Sequence, residues 1–263
     1  MKLIYALGTS HTYGACRGEE DGQLDRTWTH ILSERLNRPV INYGRRGINN
    51  LQIIEMAEQI AKGLQPELII AEMRWTTHPI MVEDHFVKQK SDDLFSKTRH
   101  NQNNKDNDDS YSSRYQEIHY GHAKHVDRLE EKKNIEWTKN YDKQFLESLK
   151  GFIKINFNHN IFEDQYKRQA LSNMYHLQSI CDMYEVPLKL FVWTSSNYND
   201  LSKSKFDMTG LSTFGFFEQG RTFIEYIGNE NTDPYKCECE HFKTPVHEMF
   251  VEEVEDEIKD VLR

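Results

Sequence analysis

Apolar residues in this chain gather into short continuous runs separated by stretches with helical spacing. "KLIYALGTS", near the start, reads as a buried strand that Gly8 ends. "DRTWTHILSERLN" follows, with Trp28, Ile31, Leu32 and Leu36 on one helical stripe. "PVINYGRRGINN" opens with a second short strand, Val40 to Tyr43, and runs into a loop holding Gly44 and Gly47. "LQIIEMAEQIAKG" is amphipathic, and Gly63 is the expected stop signal for that helix. "ELIIAEMRW" is a third buried strand. Strand, helix, strand, helix, strand, with no hairpin turn chemistry between them, predicts parallel pairing in a doubly wound sheet.

Between about Glu83 and Asn160 the pattern breaks. "SDDLFSKTRHNQNNKDNDDSYSSRYQ" is polar, rich in Asn and Asp and without a period, as in a surface loop or a disordered excursion. "IEWTKNYDKQFLESLKGFIKINF" has roughly helical spacing. "EDQYKRQALSNMYHLQSICDMYEV" is a clearer helix, striped by Ala170, Met174, Leu177, Ile180 and Cys181. "PLKLFVW" returns to a strand, and "VHEMFVEEVEDEIKDVL" closes the chain as an amphipathic helix whose acidic run is a solvated face. The expectation is one α/β domain over residues 1–263, with a largely helical insertion at about 83–160.

Composition narrows the function classes. The 263 residues are 37% hydrophobic and 29% charged, enough for a sizeable core under a heavily solvated surface. A formal charge of −9 disfavours a general nucleic-acid binder, which needs a basic face. No apolar run reaches the length of a membrane span, and the N-terminal one is too short for a signal peptide. Cys16, Cys181, Cys237 and Cys239 are too few for a disulfide scaffold and suit a reducing compartment, so a cytoplasmic protein is expected.

Candidate chemistry lies at the loops after the strands. In an open parallel sheet ligands bind beyond the carboxyl ends of the strands, where Ser10, Gly47 and the Arg74–Trp75 loop would sit. Ser10 could cap a helix or serve as a nucleophile, and the second role needs a base. "CECEHFKTPVHEMF", before the last helix, offers His241 with Glu238 three residues earlier, spaced so that a carboxylate can fold back and orient an imidazole. His247 falls in the first turn of the helix, and Asp233 is the alternative orienting acid. His11 reads as a loop residue, and Trp75 and Trp193 as core or pocket wall.

Ser10 in "GTS", the loop "NYGRRG", the loop after the third strand and the terminal Glu-x-x-His together resemble the SGNH, or GDSL-type, hydrolases. The "GTSHTYG" form is most similar to SGNH-like proteins of tailed bacteriophages. The resemblance implies a three-layer, flavodoxin-like α/β fold and esterase activity without a cofactor, on an O-acyl group of a carbohydrate or another small ester. It also implies Ser10 as nucleophile, His241 as base, Glu238 as orienting acid, and the Ser10 and Gly47 amides as oxyanion donors. Residence in an infected host cell or in a virion, among other virion proteins, follows from the phage likeness. A non-catalytic accessory protein of a phage particle is the alternative.

The sequence departs from that pattern at three places. Thr9 stands where the family has Asp in a supporting position, and Glu238 where it has Asp. "AEMRWTTH" lacks the third block's Gly-x-Asn-Asp, so Thr76 or Arg74 would have to replace its oxyanion donor. Loss of one such donor costs about 10²–10³ in rate. If His241 is the base, activity should rise through roughly pH 6.5–7.5, the range of a histidine beside a carboxylate. A rival use of the same segment is a metal site of Cys237, Cys239, His241 and His247, although Cys-x-Cys-x-His is tighter than ordinary zinc-ligand spacing.

Overall fold

The computed structural model describes residues 3–15, 26–45, 48–74, 81–83, 115–117, 144, 148, 163–193, 208–218, 220–237 and 241–263. The chain divides into two compact units, one of residues 1–77 and 167–263 and the other of residues 78–166.

In the first unit, β1 (Ile4–Leu7), β2 (Val40–Asn42), β3 (Leu68–Glu72) and β6 (Leu188–Phe191) form a parallel sheet in the order β2-β1-β3-β6. β1 and β3 are buried along their whole length. Two covered faces account for runs that are apolar throughout rather than alternating. From β1 the chain steps one way to β2 and then back past β1 to β3. With right-handed crossovers, the helices of these two steps therefore lie on opposite faces. These are α2 (Trp28–Leu36) and α3 (Asn50–Leu64). Reversal of strand order at β1 makes its carboxyl end a switch point, where crevices form in doubly wound sheets.

α3 starts on a reciprocal capping box. Asn49 Oδ1 accepts from the Gln52 amide (3.0 Å), and Gln52 Oε1 accepts from the Asn49 amide (2.7 Å). The helix runs one residue beyond Gly63, the expected stop, and ends at Gln65 in a left-handed conformation. Gly63 was therefore misread as a terminator: its helical backbone is ordinary, and Gln65 takes the left-handed position usually given to glycine. The long helix α4 (Glu163–Met183) leads into β6, and α8 (Thr244–Val261) ends the chain. Between β6 and α8 lie α5 (Gly215–Glu218), α6 (Phe223–Ile227), α7 (Asn229–Thr232) and a 3₁₀ turn at Asp233–Tyr235.

Phe250, on α8, is the hub of an aromatic core. Its ring centroid is 4.6 Å from Phe191, 5.0 Å from Trp193, 5.1 Å from Phe223 and 5.2 Å from Trp28. Large rings of this kind bury much apolar area, and here they join α2, β6 and α8. Trp193 belongs to this core at 1% exposure and also borders the site below.

In the second unit, β4 (Met81–Glu83) pairs antiparallel with β5 (Tyr115–Glu117). Tyr115 and Gln116 are therefore in a strand, whereas the polar stretch ending at Gln116 was expected to be loop; a short pairing at its end is invisible to composition. Gln144 and Ser148 are helical, within the helix expected there. The rest of the expected insertion lies outside the described residues, as do Trp75, Thr76, Gly47, Glu238 and Cys239.

Candidate active site

β1 ends in Gly8, and the chain turns at once into α1 (Ser10–Tyr13). A Cβ on Gly8 would lie 2.7 Å from both Cβ and Oε2 of Glu72, so only glycine lets β1 pass this close to β3. α1 is one turn long and could not hold itself together in isolation. Its neighbours hold it from both sides.

Glu72, the last residue of β3, turns its carboxylate under the start of the turn and is 2% exposed. Oε2 accepts from the Thr9 amide (3.1 Å), the Thr12 amide (2.9 Å) and the Thr12 hydroxyl (2.5 Å). Oε1 accepts from the Thr9 hydroxyl. At the other end, Asn42, the last residue of β2, donates from Nδ2 to the Thr12 carbonyl (2.8 Å) and accepts from the Gly44 amide at Oδ1 (2.8 Å). The Arg45 amide also donates to the Gly8 carbonyl (2.9 Å), binding the β2 loop to the Ser10 turn.

Among the described residues, two amides of the turn are left over. Glu72 takes the Thr9 and Thr12 N–H groups, and the Tyr13 amide bonds back to the Thr9 carbonyl (2.9 Å). The Ser10 and His11 amides have no acceptor among the described residues. Adjacent unpaired N–H groups at the first turn of a helix suit a developing oxyanion.

His241 arrives from the far end of the chain. Lys236 and Phe242 form an isolated antiparallel bridge, the Cys237 amide donates to the His241 carbonyl (2.9 Å), and the Lys243 amide donates to the Tyr235 carbonyl (2.9 Å). These flanking contacts place His241 Nε2 at 2.8 Å from Ser10 Oγ, across 231 positions of sequence. With the ring proton on Nδ1, the serine hydroxyl donates to Nε2, the arrangement that general-base activation requires.

His11 belongs to the same cluster, which is more than a loop residue's role. Its ring stacks on Trp193 (5.8 Å, 13°) and lies 5.0 Å from His241 and 5.4 Å from Phe242. Burial, followed by the charges of His241, His247 and Arg74, pushes its pKa well down, so it is a neutral wall beside the base.

His247 does structural work. It sits at the first turn of α8, as expected, with its Nδ1 accepting from the Trp28 amide (3.3 Å) at the start of α2. Burial lowers its pKa to about 3 against an opposing hydrogen bond to the Phe242 backbone. With both sides of the ring engaged, His247 does not serve as the metal ligand considered above. Among the described residues no group of three His, Cys, Asp or Glu side chains could hold a metal ion. Cys237 is buried, packed inward as a small hydrophobe.

The sign of the His247 shift gives a prediction. Its folded-state pKa is depressed, so below about pH 6.5 the unfolded chain takes up a proton that the folded chain refuses. Stability should fall on acidification from near pH 6.5 towards pH 3, with His247 contributing up to about 1.4 kcal/mol per pH unit. Denaturant titrations across that range should show a shallower acid loss for His247→Gln than for the parent protein.

Arg74, proposed as a substitute oxyanion donor, has its main chain engaged. Its amide donates to Asn50 Oδ1 and its carbonyl accepts from Asn50 Nδ2, each at 2.8 Å. Any donation from Arg74 would have to come from the guanidinium, whose charge reaches His11.

Glu72, Asn42 and Thr12 were absent from the sequence reading of the site. The available signal was a carboxylate inside the apolar run "LIIAE", since a buried acid demands donors.

No protein-family model matches this sequence, and no curated protein matches it. Two solved structures are similar to it. One, from Desulfitobacterium hafniense DCB-2 and assigned to the G-D-S-L family of lipolytic proteins, is 17% identical with a TM-score of 0.24. That match covers 28% of this chain and 40% of the other, so this chain spans less than half of that relative. The second, a lipase/acylhydrolase from Enterococcus faecalis, is 11% identical with a TM-score of 0.36, covering 99% of this chain and 96% of the other. The fold class itself, α/β with a parallel central sheet, stands on the strand pairing.

Proposed function

We propose that this protein is a serine ester hydrolase with Ser10 as nucleophile and His241 as general base. The observation that carries this reading is the 2.8 Å contact between Ser10 Oγ and His241 Nε2 at the carboxyl edge of the sheet. In the proposed reaction His241 Nε2 takes the Ser10 proton as Oγ attacks the ester carbonyl. The tetrahedral oxyanion lies against the Ser10 and His11 amides, which have no acceptor among the described residues. Collapse expels the alcohol, which takes the proton from His241. Water, activated by the same imidazole, then releases the acid and frees Ser10. Because attack needs neutral His241, the rate should rise with pH through its titration and then level off.

The finer reading is an O-acyl ester of a carbohydrate as substrate, in a phage setting, which rests on the sequence resemblance. Glu238 is the proposed orienting acid, with Gly47 and Thr76 as further oxyanion donors. A fluorophosphonate probe should label Ser10, with labelling lost in Ser10→Ala, and acetylated sugars should be cleaved faster than simple acetyl esters. Absence of both labelling and turnover above the Ser10→Ala background would favour the non-catalytic accessory role instead.

A further inference from the structure

Ser10 lies between two threonines that are both held by one buried carboxylate. We infer that Glu72 is the positioning residue of the nucleophile, an inference that rests on the serine hydrolase reading above. Glu72 touches neither Ser10 Oγ nor His241 in the described contacts, so it acts through the turn.

Three features of the geometry support this role. The carboxylate grips positions 9 and 12, one before the nucleophile and two after it, by both amide and hydroxyl at each. Those four bonds define where the one-turn helix sits on the end of β1, and so where Ser10 Oγ points. The carboxylate also consumes the Thr9 and Thr12 amides, leaving the intervening Ser10 and His11 amides for an oxyanion. Finally, an apolar strand carries this acid at 2% exposure, where burial raises its pKa despite the four donors.

The same contact accounts for Thr9. An aspartate there would bring a second carboxylate against Glu72 in a buried space, where two like charges cannot both ionise. Threonine supplies a donor instead. The acid that the resemblance would place at position 9 has its counterpart on the neighbouring strand.

Glu72→Gln is nearly isosteric, so the fold should survive. Its amide nitrogen cannot accept from the Thr9 hydroxyl and its one oxygen carries no charge, so the grip on positions 9 and 12 is loosened. At a temperature well below unfolding, its fluorophosphonate labelling rate and kcat should fall about 10- to 100-fold, the scale expected for a misplaced nucleophile. KM and the thermal midpoint should hold or the midpoint rise. A merely structural residue would instead lower the midpoint, with activity falling only as the folded fraction falls. Thr9→Asp should be strongly impaired, and Thr9→Asp combined with Glu72→Gln should recover part of the lost labelling, a coupling that independent sites do not show.

Wild-type labelling rate and kcat in Glu72→Gln would overturn the inference while leaving the hydrolase reading intact. So would simple additivity in the double variant. Failure of the parent protein to label at Ser10 would remove the hydrolase reading itself and this inference with it.

Discussion

His241→Ala should slow ester hydrolysis by about 10⁴-fold or more, the scale seen when a nucleophile loses its base. Ser10 would keep its place, because Glu72 and Asn42 hold the turn without help from the histidine. What disappears is the acceptor for its proton. His11 stands 5.0 Å from His241, ring centre to ring centre, yet it should not substitute. Its side chain makes no hydrogen bond to Ser10 among the described contacts, and burial against Trp193 holds its pKa far below that of a useful base. Added imidazole offers a sharper check. The alanine variant leaves a ring-sized gap beside Ser10 and His11, and free imidazole entering it should restore part of the rate in a saturable way. That rescue should follow the neutral form of the added base, rising with pH. Undiminished hydrolysis in His241→Ala would place the base elsewhere.

How far the sequence reached depends on the range of the interaction being read. All four strands of the parallel sheet and the four longest helices among the described residues follow from local periodicity, because apolar runs and helical stripes are properties of neighbouring residues. The one-turn helices after β6 have too few residues to show a period. Gly63 misled for a related reason: glycine near a helix end usually stops it, but here Gln65 took the left-handed position two residues later. At the site, Ser10 and His241 were named from a pattern spread over the chain, and their side chains meet beside the Lys236–Phe242 bridge. Glu72 was beyond such reading. Its meaning lies in four donors on residues 60 and 63 positions away, and nothing in "LIIAE" says which side chains will meet it. Asn42 was missed in the same way, since its amide serves the loop of another strand.

Two glycine-to-alanine substitutions should have opposite signs. Gly44→Ala builds a Cβ into the main chain of α1, 2.7 Å from the Thr12 carbonyl carbon and closer still to the Tyr13 nitrogen. No side-chain rotation relieves a collision with backbone, so either the Gly44 loop or α1 must move. Both are tied: the Gly44 amide to Asn42, and the Thr12 carbonyl to that same asparagine. Destabilisation of about 3 kcal/mol is expected, at the upper end of overpacking costs, or a lowering of the thermal midpoint by about 6–12 °C. Activity should fall further than the folded fraction, because the element displaced is the one that carries Ser10. Gly63→Ala meets nothing within 4 Å and keeps a helical backbone, so it gains helix propensity without strain. It should raise stability by about 0.5–1 kcal/mol and leave hydrolysis unchanged. The pair controls for the loss of glycine's flexibility in the unfolded chain, which is common to both. Equal midpoints for the two variants would mean that the β2 loop does not press on the nucleophile turn, and the account of how α1 is held would fail with it.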